Sequence, residues 1–153
     1  MRIRAAVLRE PGSPVAVEEV ELDPPRADEV LVRVAAAGVC HSDLHLAEGA
    51  LGEGRWPIVL GHEGAGVVES VGARVTHVAP GDRVAFCFVP ACGACAQCRA
   101  GRPNLCGPAG ENGVRGTLMD GTSRLSLPDG TPLQHGLMTA CFAERTEIGR
   151  AHV

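Results

Sequence analysis

The sequence predicts a mainly β domain of barrel-like form with short helices, and three observations carry that prediction. Val-rich segments of alternating polarity recur at short intervals, Gly, Pro and Asp clusters punctuate them, and helical character is confined to brief stretches. The chain has 153 residues, enough for one domain with a hydrophobic core. Aromatic residues make up 3% of it, so that core falls to Val, Leu, Ala and Ile.

Residues 2–9 (RIRAAVLR) read as a first strand and residues 14–22 (PVAVEEVEL) as a second, followed by the turn Asp23-Pro24-Pro25. Residues 29–37 (EVLVRVAAA) place Val30, Val32 and Val34 on one face of a third strand, which Gly38 breaks. Ser42 to Glu48 suits a short helix. Strand character resumes over residues 64–71 (GAGVVESV), and Pro80-Gly81-Asp82 turns into a further strand over residues 83–89. Residues 122–127 and 131–133 flank Pro128-Asp129-Gly130 as a hairpin, and residues 140–146 read as a last strand. Gly64-Ala65-Gly66 does not open a dinucleotide loop: Glu69 stands where the third glycine belongs, and strand follows instead of helix. These glycines instead allow a tight backbone path beside a strand.

The net charge is -4 and the arginines are scattered, which argues against a nucleic-acid partner. No run approaches the roughly 20 apolar residues of a membrane span. Arg2, Arg4 and Arg9 sit inside an alternating pattern instead of preceding an apolar stretch, so a signal peptide is not expected and a cytoplasmic protein is. In such a reducing compartment, seven cysteines read as ligands or buried thiols. Cys87 and Cys141 are expected to be buried small hydrophobes. His77 and His135 have no acidic or cysteine neighbours at a suggestive spacing and are expected to be ordinary core or surface residues.

Residues 91–108 form a Cys-, Gly- and Pro-rich lobe with little to pack, which needs a staple. Its pattern is Cys92-x2-Cys95-x2-Cys98-x7-Cys106. Two-residue gaps let successive sulfurs converge, and the longer loop returns the fourth. Four thiolates suit a tetrahedral, structural zinc with no open position. Two disulfides, a redox pair or an iron–sulfur cluster are the alternatives.

A second constellation lies in Gly38–His45 (GVCHSDLH) and Gly61–Gly66 (GHEGAG). Cys40 and His62 are candidate metal ligands of mixed S/N type. Asp43 suits the carboxylate that accepts a ligand imidazole's other N–H. Ser42 and His45 are three apart, so a helical turn puts them on one side, where a hydroxyl and an imidazole can pass a proton outward.

GVCHSDLH, GHEGAGVVESVG, PGDRV and CGACAQCRAGRPNLC, in this order and spacing, resemble the zinc-dependent medium-chain alcohol dehydrogenases over roughly residues 2–146. The resemblance implies a GroES-like, partly open β-barrel with a zinc lobe at Cys92, Cys95, Cys98 and Cys106. It implies Cys40 and His62 as catalytic-zinc ligands, Glu63 as an acid that approaches the metal, and Asp43 as the partner of the ligand histidine. It further implies Ser42 at the substrate oxygen, His45 as the outer member of a proton relay, and His41 at the cofactor pyrophosphate. The family's third catalytic-zinc ligand and its nucleotide-binding unit are not found in the 153 residues.

Residues 1–146 are therefore expected to be the catalytic domain of an NAD(P)-dependent alcohol or aldehyde oxidoreductase, a fragment inactive alone. The alternative is a non-catalytic, stand-alone zinc-binding module. NAD(P), a small alcohol or aldehyde substrate, and a homodimer or tetramer are expected for the full-length protein only. Residues 147–153 are set apart as a non-native tail, because Ile148 to Val153 back-translates to the sequencing-adapter string ATC GGA AGA GCA CAC GTC.

Overall fold

In Arg2–Leu8 the alternation turns Ile3, Ala5 and Val7 inward and Arg2 and Arg4 outward, which makes strand β1. It pairs antiparallel with β2 (Ala16–Leu22), whose Val20 and Leu22 enter the same core. The computed structural model describes residues 1–50 and 56–153. The further strands are β3 (Glu29–Gly38), β4 (Ile58–Val59), β5 (Glu63–Val71), β6 (Arg83–Ala85), β7 (Leu125–Ser126), β8 (Pro132–His135) and β9 (Arg145–Gly149). Three short helices join them: α1 (His41–Ala47), α2 (Ala96–Arg99) and α3 (Gly107–Arg115). No helix among the described residues is long and apolar enough to cross a membrane.

The order β1-β2-β7-β8-β4 closes into a barrel, while β6-β5-β3-β9 forms a second, open sheet. The mainly β architecture with short helices is thus present; the barrel itself is closed, and the open part is confined to the second sheet. Ile3, Val7, Val20, Leu22, Val59 and Leu133 fill the barrel, and Val30, Val32, Val68 and Ile148 back the second sheet. A third cluster of Leu8, Leu46, Ile58 and Leu60 lies under α1 and fixes that helix beside β4. Gly66 sits opposite Val34, next to a register shift in the β3–β5 ladder. A Cβ there would lie 2.3 Å from the Arg33 carbonyl oxygen, so only glycine lets the two strands come this close.

A buried ion pair joins the two sheets. Arg124, just before β7, is fully enclosed and donates Nε to Glu29 Oε2 at 2.9 Å and Nη2 to Glu29 Oε1 at 2.5 Å. The same guanidinium reaches Asp120 at 2.5 Å. Such a bidentate pair leaves few charges unmatched in a site that water does not reach.

Some elements differ from the expectation. β2 begins at Ala16, because residues 14 and 15 lie before its pairing with β1. β6 ends at Ala85, because the β5–β6 register stops at Ala65↔Ala85. The chain then leaves the sheet, and Cys87 is exposed instead of buried. Cys141 is buried, as expected. The last strand starts at Arg145 and not at Ala140, because Leu137, Met138 and Ala140 take positive φ of 44°, 68° and 50°. His135 is a fully buried histidine whose Nε2 receives the Arg124 N–H at 3.3 Å.

Residues 147–153 continue β9, with Glu147, Ile148 and Gly149 opposite Leu31, Val30 and Glu29, and end in a short turn with His152 buried. Both carboxylate oxygens of Glu147 are buried without a partner among the described residues. Burial, then the Glu29 charge, pushes the Glu147 carboxyl from 4.5 up to about 9. The folded state therefore holds this proton more tightly than the unfolded chain. The stability linked to the neutral form is complete below 4.5 and is lost as pH rises towards 9. Glu147→Val is expected to remove this pH slope and to stabilise the domain by about 1–3 kcal/mol. Urea titrations across that range read both effects, and an unchanged slope or a destabilised variant would contradict the assignment.

Candidate metal centres

The cysteine lobe is built almost wholly from local sequence. Cys92 precedes a bend over residues 93–95, Cys95 caps the start of α2 and Cys98 lies within it, and Cys106 closes a 3-10 turn at Pro103–Leu105 and leads into α3. The four sulfurs all lie within 4.8 Å of one another, and Cys92 Sγ and Cys98 Sγ are 4.0 Å apart. Thiolates at about 2.3 Å from a tetrahedral ion stand about 3.8 Å from each other, so the quartet has the right size for one ion. An iron–sulfur cluster would hold its four cysteines farther apart. All seven cysteines are free, so the lobe is not closed by disulfides.

The electrostatics of the lobe favour the same reading. Backbone N–H groups of Ala94 and Cys95 point at Cys92 Sγ, at 3.4 and 3.3 Å, and push that thiol towards its thiolate. Backbone donation from Cys98 and Gly107 brings Cys95 down to about 6. Burial and the neighbouring Cys95 sulfur hold Cys98 up at about 11. A quartet that attracts negative charge and cannot ionise fully by itself is the donor set a soft or borderline cation completes.

The second centre is assembled from two distant segments. β3 ends at Gly38, and Cys40 occupies the N-cap of α1. Asp43, in the first turn of α1, accepts the Cys40 N–H at 3.1 Å through Oδ2. Its other oxygen accepts the Gly61 N–H at 3.0 Å and faces His62 Nδ1 at 3.2 Å. Gly61 has φ +93°, and a Cβ on it would strike Phe142, so this sharp entry into β5 requires glycine. His62 and Asp43 are both buried, at 2% and 4% side-chain exposure. With Nδ1 facing Asp43, Nε2 is the nitrogen left for a ligand.

Ligand atoms of Cys40, His62 and the exposed Glu63 lie within 4.8 Å of one another. Ser42 Oγ is 3.7 Å from Cys40 Sγ. His45 stands on the outer side of α1, its ring 4.6 Å from that of His41, and both are exposed. Every candidate site residue therefore falls in one of two clusters, the lobe or the α1–β5 junction. Sequence reasoning passed over Phe88, whose ring meets His62 edge-on at 5.2 Å. An aromatic residue beside a cysteine, in a chain with 3% aromatics, was the available signal. Phe88 also lines an apolar groove of about 700 Å³ with Val89, Leu105, Val114, Leu137 and Met138.

Residues 26–131 match the model of the alcohol dehydrogenase GroES-like domain. The chain is 47% identical over 148 residues to an S-(hydroxymethyl)glutathione dehydrogenase of Paracoccus denitrificans, covering 97% of this chain and 40% of that protein. It is 48% identical over 153 residues to an NDMA-dependent alcohol dehydrogenase of Amycolatopsis methanolica, covering 100% and 40%. Among solved structures it is similar to an alcohol dehydrogenase zinc-binding domain protein of Burkholderia ambifaria, with TM-score 0.91, 37% identity, and coverage of 100% of this chain and 41% of that one. A benzyl alcohol dehydrogenase of Acinetobacter calcoaceticus gives TM-score 0.88, 30% identity, and coverage of 100% and 41%. The chain thus spans about 40% of the length of these relatives.

Asp43→Ala is expected to weaken metal binding at Cys40 and His62 by about 10–100-fold while leaving the cysteine lobe loaded. Competition for zinc with a chromophoric chelator measures both sites, and an unchanged affinity at Cys40 and His62 would remove Asp43 from this role.

Proposed function

The chain belongs to the alcohol dehydrogenase GroES-like domain family, and from that premise we propose that it is the zinc-binding catalytic domain of an NAD(P)-dependent alcohol or aldehyde oxidoreductase. The observation that carries the reading is the convergence of Cys40 and His62 from separate segments, with a buried carboxylate on the far side of the imidazole. A bare scaffold has no need of that arrangement.

Cys40 and His62, with Glu63 within reach, would hold one zinc ion, and Cys92, Cys95, Cys98 and Cys106 a second, structural one. At the first site the zinc, when bound, supplies the Lewis acidity that lowers the pKa of an alcohol hydroxyl. Asp43 holds the His62 ring in one tautomer and orientation. Ser42, beside Cys40, would accept the hydroxyl proton as it passes its own to the cofactor ribose, and His45, one turn further along α1, would carry it on to solvent. His41, on the exposed face, provides a contact for a cofactor phosphate. Hydride transfer is the chemistry of NAD(P), proposed here for the whole protein only. Phe88 stands between His62 and the apolar groove, which supports an alcohol or aldehyde with an apolar body. Assembly as a homodimer or tetramer is likewise proposed for the whole protein.

Residues 1–146 make up the proposed domain. Residues 147–149 complete its last strand against β3, Ile148 is buried in its core, and the Amycolatopsis methanolica relative aligns over all 153 residues, all of which counts against setting residues 147–153 apart.

Elemental analysis of zinc-saturated chain is expected to give two zincs, falling to one in Cys40→Ser with His62→Asn. One zinc in the unaltered chain, confined to the lobe, would instead favour a non-catalytic zinc module. In a protein that joins this domain to the rest of the length its relatives contain, Ser42→Ala is expected to lower kcat by about 10²–10⁴-fold without loss of zinc. Unchanged turnover would remove Ser42 from the proton path.

A further inference from the structure

Helix α1 presents a pair of nitrogen ligands on its exposed face. Its inner face carries Asp43 and Leu46, both buried, and these anchor the helix to the Cys40–His62 junction and to the cluster of Leu8, Ile58 and Leu60. Its outer face carries His41, Leu44, His45 and Glu48, all exposed. His41 and His45 are four apart, so they stand one above the other on successive turns. Their ring centroids are 4.6 Å apart with the planes inclined at 57°. No described residue forms a hydrogen bond with either ring.

From this geometry we infer a surface cation site formed by His41 and His45, specific for borderline divalent transition metals. Two imidazoles at this spacing on a helix act as a bidentate chelate, the arrangement that the paired histidines of helical zinc motifs use. The helix is already fixed by its buried face, so no segment has to be ordered on binding. The donors are nitrogen only and the remaining positions open to water, which selects Cu2+ and Ni2+ above Zn2+ and excludes Mg2+ and Ca2+. The site is distinct from the Cys40 centre in its ligands, two exposed imidazoles in place of a thiol and a buried imidazole. A cation held there engages the lone pair His45 needs to carry a proton, so the site and the relay exclude each other. That consequence rests on the function proposed above; the cation binding itself does not.

The test is Ni2+ titration of zinc-saturated chain by calorimetry. One Ni2+ per chain is expected, with affinity about a hundredfold lower in His41→Asn and in His45→Asn, because each variant loses the intramolecular second contact. Affinity is expected to be unchanged in Cys40→Ser, which separates this site from the proposed zinc site. Since a variant can fail to fold, far-UV circular dichroism accompanies each one. Paramagnetic broadening of histidine ring signals in the unaltered chain gives an independent reading. Broadening confined to the His41 and His45 rings supports the site. Absence of Ni2+ uptake, uptake that survives either histidine replacement, or broadening centred on His62 would overturn it.

Discussion

The carboxylate of Asp43 ties together the start of α1 and the approach to β5, two stretches that also meet where Leu46 packs on Leu60. It receives one N–H from Cys40, at the start of α1, and one from Gly61, at the start of β5, and it faces the His62 ring between them. Without this group the end of β3 and the approach to β5 would carry their side chains independently. With it, Cys40 and His62 are held as one unit. Because Asp43 is buried, its hydrogen bonds are not shared with water, and removing it would leave two backbone N–H groups enclosed and unpaired.

β3 is anchored at its other end by the same kind of interaction. Glu29, its first residue, holds the enclosed Arg124 guanidinium and accepts the Arg26 N–H at 2.8 Å. One strand is thus fixed at its start to the barrel by an ion pair and at its end to β5 by Asp43. Between these points the β3–β5 ladder carries register shifts, and the close approach at Gly66 is accommodated by glycine. Buried ions of this kind cost desolvation, and their return lies in a defined register more than in net stability.

Much of this was legible in the sequence because it is local. The spacing of Cys92, Cys95, Cys98 and Cys106 encodes the lobe directly, since the loops between them are too short to place the sulfurs far apart. The polar–apolar alternation of β1 identifies a strand with one buried face, while the Val alternation of β3 marks Val30 and Val32 behind the second sheet and leaves unread that Leu31 between them enters the barrel core. What escaped was set by tertiary partners. Cys87 reads as buried because its neighbours are apolar, yet the ladder on β6 ends at Ala85 and leaves it exposed. The end of the chain reads as strand from Ala140, but positive φ at Leu137, Met138 and Ala140 delays it. Arg124 gives no sign in sequence of being enclosed, because its partner Glu29 lies 95 residues away.

The two metal centres differ in what must fold before they exist. The lobe draws its four sulfurs from one continuous stretch, and no strand pairing is needed to bring them together. Its closed donor set would make a bound ion a staple for a segment with little apolar surface to bury. The Cys40–His62 centre exists only after β3 has paired with β5 and Gly61 has turned the chain, so it reports the completed sheet. Its ligands are held from behind by hydrogen bonds, while Glu63 stays exposed on the open side. A closed donor set made locally and an open one made by the tertiary fold are what the proposed structural and catalytic ions would respectively require. The separation would let the proposed catalytic centre keep an accessible face, because ordering the weakly packed lobe would fall on the other ion.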